Sequence, residues 1–559
     1  MADINRTARI AIVGMGPRGL GALEALAERF GPKTPRLQID IFDPAPSPGA
    51  GPNFNPAEPR YCLLNTPYRV IAIRPPKEAS IGSFAEWQEG HPDPDHFPPR
   101  AALGRYLEAR LADLLRYGFA SPEPAIQFLR APVQQITRDG DAWRLHSAAK
   151  DHGLYDEVLL TLGQPPVHPD EQLAQWQDHA AKSKAALMPA YPARALCDAA
   201  AAWQGKRVAI RGLGLSTYDV LRGLTLAQGG VFASGHYNPS GREPERILPF
   251  SLNGHPPFPK PETQALDAAF SPTEAETITF TEAATKAVAA DPDAASALLS
   301  EALVAPVARI LTAQNIPALA VRAWLAQEWE APGSQEDATP LDALTEGIEM
   351  ARGAAPPSIG YALGQVWRKW QDPWRKAFNP GQASPATAKQ LVGFDEGLKR
   401  YSYGPPLTSA KELRALVAAG VVDLSCASDP HITSVPEGWR LESAGSTLDV
   451  SVMIDAVLPT PNLAQLADTL LPGLKARGHL TALLPDLGAA TAPDGRLYDA
   501  QGNLAPGLCL LGRLALGSVT AVDSLHDCFG QSADRWAEGV VDRLTRRRPT
   551  GACESYNRS

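Results

Sequence analysis

The sequence has no run of about 18 or more consecutive apolar residues, so no transmembrane helix is expected from it. Its start has neither the charged nor the apolar segment of a secretory leader. Cysteine is scarce. Cys62, Cys197, Cys426, Cys509, Cys528 and Cys553 are spread over 559 positions with no CxxC pair. That pattern argues against a disulfide scaffold or a zinc ribbon and fits a reduced, cytoplasmic protein. Basic clusters are missing too. The net charge is −9, from 52 basic and 61 acidic residues, and the one dense run, Arg546-Arg547-Arg548, reads as a solvated tail. Nucleic acid and anionic membranes need clustered Lys and Arg, so neither is an expected partner. No repeat period of about 20–50 residues is present, which argues against a solenoid.

What is present suits a globular chain. Hydrophobic residues make up 44% and charged residues 20%, enough apolar matter for a buried core. The 53 prolines and 46 glycines carry no triplet period, so they imply many loops around a rigid frame. The first unit is strand-turn-helix-strand. Ala8 to Gly14 (ARIAIVG) is a short apolar run of the buried parallel type, Gly19 to Phe30 has helical spacing, and Leu37 to Asp43 is a second strand. Residues 44–100 are rich in Pro, Gly and Asn and predict a long loop region of the kind that covers a ligand. Ala102 to Gly118 predicts an amphipathic helix. A hairpin follows with Asp139-Gly140 near its turn, then an apolar strand from Tyr155 to Gly163. A second strand-glycine-helix unit begins at Gly205, and residues near 265–400 have helical periodicity. The fold class is therefore α/β, with two Rossmann-like dinucleotide-binding domains and a largely helical insertion.

The chemistry concentrates in the glycine turns. Gly14-Met15-Gly16-Pro17-Arg18-Gly19 is a GxGxxG between a strand and a helix. Its first glycine permits the tight turn, the second lets a pyrophosphate approach, and the third lets helix and strand pack. Asp43, ending the next strand, can bind both ribose hydroxyls. A second turn, Gly212-Leu213-Gly214-Leu215-Ser216-Thr217, has Thr217 in place of the third glycine. The run Val231 to Ser234 is expected as its next strand, and no acid follows it. Arg242 or Arg246 either meets a 2′-phosphate, favouring NADP, or pairs with Glu243 or Glu245. Two further apolar strands end in glycine, at Gly163 and at Gly512.

Taken together, GMGPRG, FDP with Pro48-Gly49-Ala50-Gly51, Leu63-Leu64-Asn65-Thr66-Pro67, Pro99-Arg100, GLGLSTYD, PSGREP, Tyr403-Gly404-Pro405-Pro406 and the terminal GR…DS carry a resemblance. The chain resembles flavoproteins with two dinucleotide-binding domains, in a bacterial branch related to the N-hydroxylating, class B-type monooxygenases. The match covers most of the chain and is weakest near 265–400. It implies FAD on the first unit and NADPH (or NADH) on the second. It also implies reduction of the flavin, addition of O2 to give a C4a-hydroperoxide, and transfer of one oxygen to a nucleophile such as an amine or amino acid. A flavin dehydrogenase or oxidase without oxygen transfer, and a non-catalytic FAD-binding sensor, are the alternatives. The sequence departs from the pattern at Thr217, and at Arg513, where many flavoprotein reductases carry Asp.

The expected FAD contacts are Gly14, Gly16, Pro17, Arg18, Gly19, Asp43, Asn65, Thr66, Arg100, Gly163, Gly512 and Asp523. For NADP they are Gly212, Gly214, Ser216, Thr217 and Arg242. Asn65 and Thr66 either bond flavin or nicotinamide edges or form an Asx-type turn before Pro67. Arg100 either contacts a pyrophosphate or caps a helix. Arg400 and Tyr403, in Lys399-Arg400-Tyr401-Ser402-Tyr403, either recognise a carboxylate substrate or lie on a solvated face. Trp367, Trp370 and Trp374 read as a core stripe, with Pro373 ending or kinking that helix. His91 and His96 with Asp93 and Asp95 read as a surface loop rather than a metal site. Ser216, or Ser524 with His526, makes no hydrolase without a GxSxG turn, and the chain has none. The expected division is 1–165 with 500–545 for FAD, 200–262 with 408–475 for the second nucleotide, and 263–407 as the insertion. Small-molecule substrate and O2 are the only partners expected.

Overall fold

The computed structural model describes residues 7–546 except 32–33, 91, 118, 120–123, 149, 336 and 444. Strand β1 (Thr7–Val13), helix α1 (Pro17–Arg29) and strand β2 (Arg36–Phe42) form the opening unit. The two strands pair in parallel, Ile10 opposite Ile39 and Val13 opposite Phe42. They belong to a six-stranded sheet. From one edge it runs Arg496–Tyr498, Leu504–Leu510, Glu157–Leu160, β1, β2, Ala125–Leu129. All neighbours are parallel except the first pair.

Alternation along β1 explains how both faces are covered. Ile10 and Ile12 join a cluster with Leu20 and Leu23 of α1 and with Trp536 and Val540 of the last helix, Gln531–Arg546. Ala11 and Val13 point the other way, against Trp143 and Leu145. Those two residues sit in the antiparallel sheet Gln135–Asp139, Ala142–Ser147, Lys150–Tyr155, whose first turn holds Asp139 and Gly140.

A second parallel sheet has the order Arg246–Phe250, Arg207–Arg211, Val452–Asp455, Ala186–Pro189. Its strands thus come from residues 186–250 and from 452–455, on either side of the helices. Helices fill most of Gln264–Ala418. They share one continuous apolar cluster with this second sheet, in which Val208 and Ile210 lie with Trp367, Trp374 and Leu398. The three tryptophans are core: Trp367 and Trp374 are fully buried, and Trp370 stacks on Phe280 with centroids 4.2 Å apart. The helix breaks at Trp370, before Pro373, which occupies the first turn of the next helix. Among the described residues no helix is long and apolar enough to cross a membrane.

Candidate functional site

At the exit of β1 the chain turns at Gly14, with φ +97°. The Gly14 N–H donates to Phe42 O at 2.8 Å, and a methyl on this residue would sit 2.5 Å from Thr161 O. Gly16 caps α1 without any side-chain hydrogen bond, and a methyl there would meet only Gly51 Cα, at 3.6 Å. Gly19 backs against Gly14 O and leaves no room for a side chain. The start of α1 therefore presents N–H groups and the positive end of its dipole to an open cradle, which suits an anion. Gly163 also has open space over its α-carbon. Asp43 draws the second strand into the turn, its Oδ2 accepting from Met15 N at 2.6 Å and its Oδ1 from Ala45 N at 2.7 Å. The residues present fit the pyrophosphate and ribose of a dinucleotide.

The second turn repeats this geometry. The Gly212 N–H donates to Phe250 O at 2.8 Å, φ is +116°, and an added methyl would lie 3.3 Å from the Ala456 carbonyl. Gly214 caps the helix Leu215–Leu224 at φ −88°, ψ −158°, against −80° and −167° for Gly16. A methyl on Gly214 would touch nothing within 4 Å. Thr217, standing for the third glycine, turns its hydroxyl back to Gly212 O at 2.8 Å.

Arg242 has no place here. The segment Val231–Ala233 pairs only with His236–Asn238, in a separate two-stranded ribbon. The strand that flanks Arg207–Arg211 is Arg246–Phe250, in parallel register from Arg246 opposite Arg207 to Phe250 opposite Arg211. Arg242 precedes that strand, at the end of the sheet remote from Gly212. Its Nε donates to Gln228 O at 2.8 Å, and Arg246 Nη1 donates to Gly420 O at 2.6 Å. By the shared geometry, Ser251 occupies the position that Asp43 has in the first unit. Leu252, 87% exposed, and Asn253 follow it.

Three expected FAD contacts are engaged elsewhere. Arg18 is buried, donates to Asp527 Oδ2 at 2.7 Å and Val522 O at 3.0 Å, and lies under Gly512. It ties α1 to the C-terminal segment instead of facing the cradle. Arg100 heads the helix Arg100–Tyr117 and turns toward the second unit, with Nη2 2.6 Å from Asp219 Oδ2. Asp523 sits between Lys399 at 2.9 Å and Arg513 at 2.5 Å. Burial alone would raise the Asp523 carboxyl, but the two cations outweigh it and hold its pKa down to about 2. Arg513 also donates to Gln164 Oε1 and Pro459 O, both at 2.7 Å, so it joins the two units where Asp would not.

Asn65 and Thr66 are neighbours, Thr66 Oγ1 lying 3.4 Å from Asn65 Oδ1. The Asn65 carbonyl accepts from Lys260 Nζ, which also donates to Gly404 O at 3.1 Å. Lys260 is buried, and desolvation with the nearby Arg368 pulls its pKa well below the usual lysine value. Sequence reasoning passed over it. The available signal was a single lysine inside the apolar, proline-rich run Pro256 to Pro261. Tyr403 sits beside Lys399 and donates to Gln371 Oε1 at 3.4 Å, while Arg400 lies over Phe258 and Tyr401. A buried network was also missed. Asp395 accepts from Trp367 Nε1 and Thr520 Oγ1, both at 2.8 Å, and clamps the helices onto the segment that precedes Asp523. His91 lies outside the described residues. Asp95 pairs with Arg69, and among the described residues no three metal-ligating side chains come together.

Comparison with known proteins agrees with this geometry. Residues 11–165 match the family described as FAD-NAD(P)-binding. Nitrosuccinic acid synthase of Aspergillus oryzae is 31% identical over 271 residues, 44% of this chain and 41% of that protein. The match thus spans about two-fifths of that relative. An L-aspartate N-monooxygenase (nitrosuccinate-forming) of Streptomyces cremeus is 26% identical over 90% of this chain and 89% of its own. Among solved structures, the FAD-bound cadaverine monooxygenase of Erwinia amylovora superimposes with a TM-score of 0.50 at 10% identity, covering 99% of both chains. The chain has two dinucleotide-binding folds. Residues 11–165 are similar to the FAD-NAD(P)-binding module, and the overall fold is similar to that of the Erwinia amylovora monooxygenase.

Proposed function

We propose that this protein is an FAD-dependent, NAD(P)H-using monooxygenase that oxidises the amino nitrogen of a small acidic amino acid, L-aspartate being the first candidate. The observation that carries the reading is the duplicated glycine turn. Each copy opens the helix that follows an interior strand of its own parallel sheet and backs onto the exits of two neighbouring strands. When bound, FAD would supply electron transfer from the nicotinamide and activation of O2, one oxygen atom going to the substrate and the other to water.

The chain's own residues bind and position. Gly14, Gly16 and Gly19 cradle the FAD pyrophosphate. Asp43 accepts two loop amides and keeps lone pairs for the ribose, and Gly163 lets the cofactor pass close to the backbone, while at Gly512 the space a Cβ would need is filled by Arg18. Gly212, Gly214, Ser216 and Thr217 serve the second nucleotide. The units are 1–165 with 500–545, 200–262 with 408–475, to which the strand Ala186–Pro189 adds, and the 263–407 insertion that shapes the substrate pocket. Charge near Asn65 favours an acidic substrate. Arg69, Arg368 and Lys369 pair with the two carboxylates Asp267 and Asp95 and leave one positive charge in excess. The likeness to aspartate N-monooxygenases supports the same substrate class. The protein acts in the cytoplasm.

The test is anaerobic addition of NADPH to the FAD-loaded protein, then air with and without L-aspartate. Bleaching of the flavin, and a product heavier by oxygen only when aspartate is present, is the expected outcome. Reoxidation with peroxide release but no oxygenated product among amino acids and amines would instead favour an oxidase. A flavin that stays oxidised would refute the NAD(P)H-dependent reading.

A further inference from the structure

We infer that Asp219, Tyr191 and Arg100 form a coupling cluster that positions the second nucleotide against the flavin-facing loop. The inference rests on the functional reading above. Asp219 lies on the helix Leu215–Leu224, which opens at the second glycine turn. Its Oδ2 is 2.6 Å from Arg100 Nη2 and accepts the Tyr191 hydroxyl at 2.6 Å. Arg100 Nη1 also reaches Tyr191 OH, at 3.1 Å, while Arg100 Nε donates to Leu63 O at 3.2 Å. Ser216 of the glycine turn is beside the Tyr191 hydroxyl. One three-residue cluster thus touches the second glycine turn at one end and the Leu63–Thr66 loop at the other.

Independent contacts press the same helix on the same loop. Arg222, one turn after Asp219, donates to Tyr61 O at 3.2 Å and is held by Glu412 at 2.7 Å. At Gly223 an added methyl would lie 3.4 Å from both Tyr61 Oη and Cys197 Sγ, ordinary contact distance, so the helix and Tyr61 are packed against each other here. Asp219 is 3% exposed, and Arg100 is kept charged because the carboxylate more than offsets the effect of burial. A buried ion pair is a costly way to gain stability, since apolar residues of similar volume often do as well. A directional, water-excluded link is what it supplies here.

The test uses full-length, FAD-loaded protein with two variants. Asp219→Asn removes the charge at nearly constant shape, and Tyr191→Phe removes the hydroxyl while leaving the ion pair. Amide hydrogen exchange is followed with and without NADP+, and anaerobic flavin reduction by NADPH is timed. In the wild type, NADP+ slows exchange at residues 212–224 and also at 61–66. In both variants protection at 212–224 persists, protection at 61–66 drops, and flavin reduction slows at least tenfold. The NADP+ dissociation constant stays within threefold and FAD content is unchanged. Protection confined to 212–224 in the wild type would overturn the coupling, as would variants that retain both the remote protection and the wild-type reduction rate. Loss of rate in step with loss of FAD or of NADP+ affinity would reduce the cluster to a structural role and also overturn it. A wild-type flavin that NADPH does not reduce would refute the functional reading, and the exchange arm would still decide the coupling.

Discussion

Replacing Ser251 with aspartate should turn the second nucleotide site against a 2′-phosphate. Ser251 follows Phe250, whose carbonyl accepts the Gly212 N–H, just as Asp43 follows Phe42 beside Gly14. In Rossmann units a carboxylate at this position binds the ribose 2′-hydroxyl and excludes the phosphorylated nucleotide. The wild-type chain has only a hydroxyl there, donating toward Asn253 Oδ1 at 3.2 Å and accepting from Gly254 N at 3.0 Å. An aspartate can keep the Gly254 contact, so the turn should survive. A carboxylate about 5 Å from one phosphate charge repels it by roughly 3 kcal/mol at an effective dielectric constant of about 20. Salt screening leaves roughly 2 kcal/mol, about a 30-fold loss of NADP+ affinity. Affinity for NAD+ should change little or improve. Titration of the FAD-loaded protein with both nucleotides gives the ratio directly. Arg242→Ala is the companion variant and should leave that ratio unchanged, because Arg242 lies at the far end of the neighbouring strand. An unchanged ratio in Ser251→Asp, or a collapsed one in Arg242→Ala, would refute the placement.

Other expectations follow from single contacts. Asp43→Ala removes a carboxylate that accepts two amides, Met15 N and Ala45 N, and should weaken FAD retention by roughly 1.5–3 kcal/mol, read as flavin lost on dilution. Full flavin content would count against the ribose assignment. Asp395→Ala strips the acceptor from Trp367 and Thr520 in a buried setting, and should lower the thermal midpoint by several degrees. Asp523 has a folded pKa near 2, below its ordinary value of 3.8, so its contribution is complete above pH 4 and disappears as pH falls toward 2. Asp523→Asn should therefore flatten the acid limb of the stability curve between about pH 4 and 2, and leave its shape at neutral pH alone. An acid limb identical to wild type would show that the Lys399 and Arg513 pairs do not matter there.

The parts of this fold that could be read from sequence were those with local causes. β1, α1 and β2 follow from a short apolar run, a glycine turn and helical spacing, all within the first 42 residues. In the second unit the run Val231 to Ser234, expected as the next strand, forms a separate ribbon instead. The unit's true second strand, Arg246–Phe250, contains Pro249, and a proline within a strand normally argues against one. The strand lies at the sheet edge, where a missing N–H is tolerated, which explains how it carries Pro249. Ala186–Pro189, at the opposite edge, ends in proline for the same reason.

Side-chain roles were legible only where the backbone dictated them. Glycines announce close approach, and the cradle glycines do lie where a Cβ would collide or where a ligand has room. A charged side chain announces nothing about its partner. Arg18 and Asp527, or Arg100 and Asp219, meet only through tertiary contacts that no local period encodes. That asymmetry bears on how the site works. The glycines proposed to hold nucleotides are fixed by their own turns and would survive small shifts between the two units. The spacing of the two proposed nucleotide sites depends on pairs such as Arg100–Asp219, which crosses from one unit to the other, whereas Arg18–Asp527 stays within the first. Substitutions in the turns should therefore alter binding, and substitutions in the crossing pairs should alter transfer between nucleotides that are still bound.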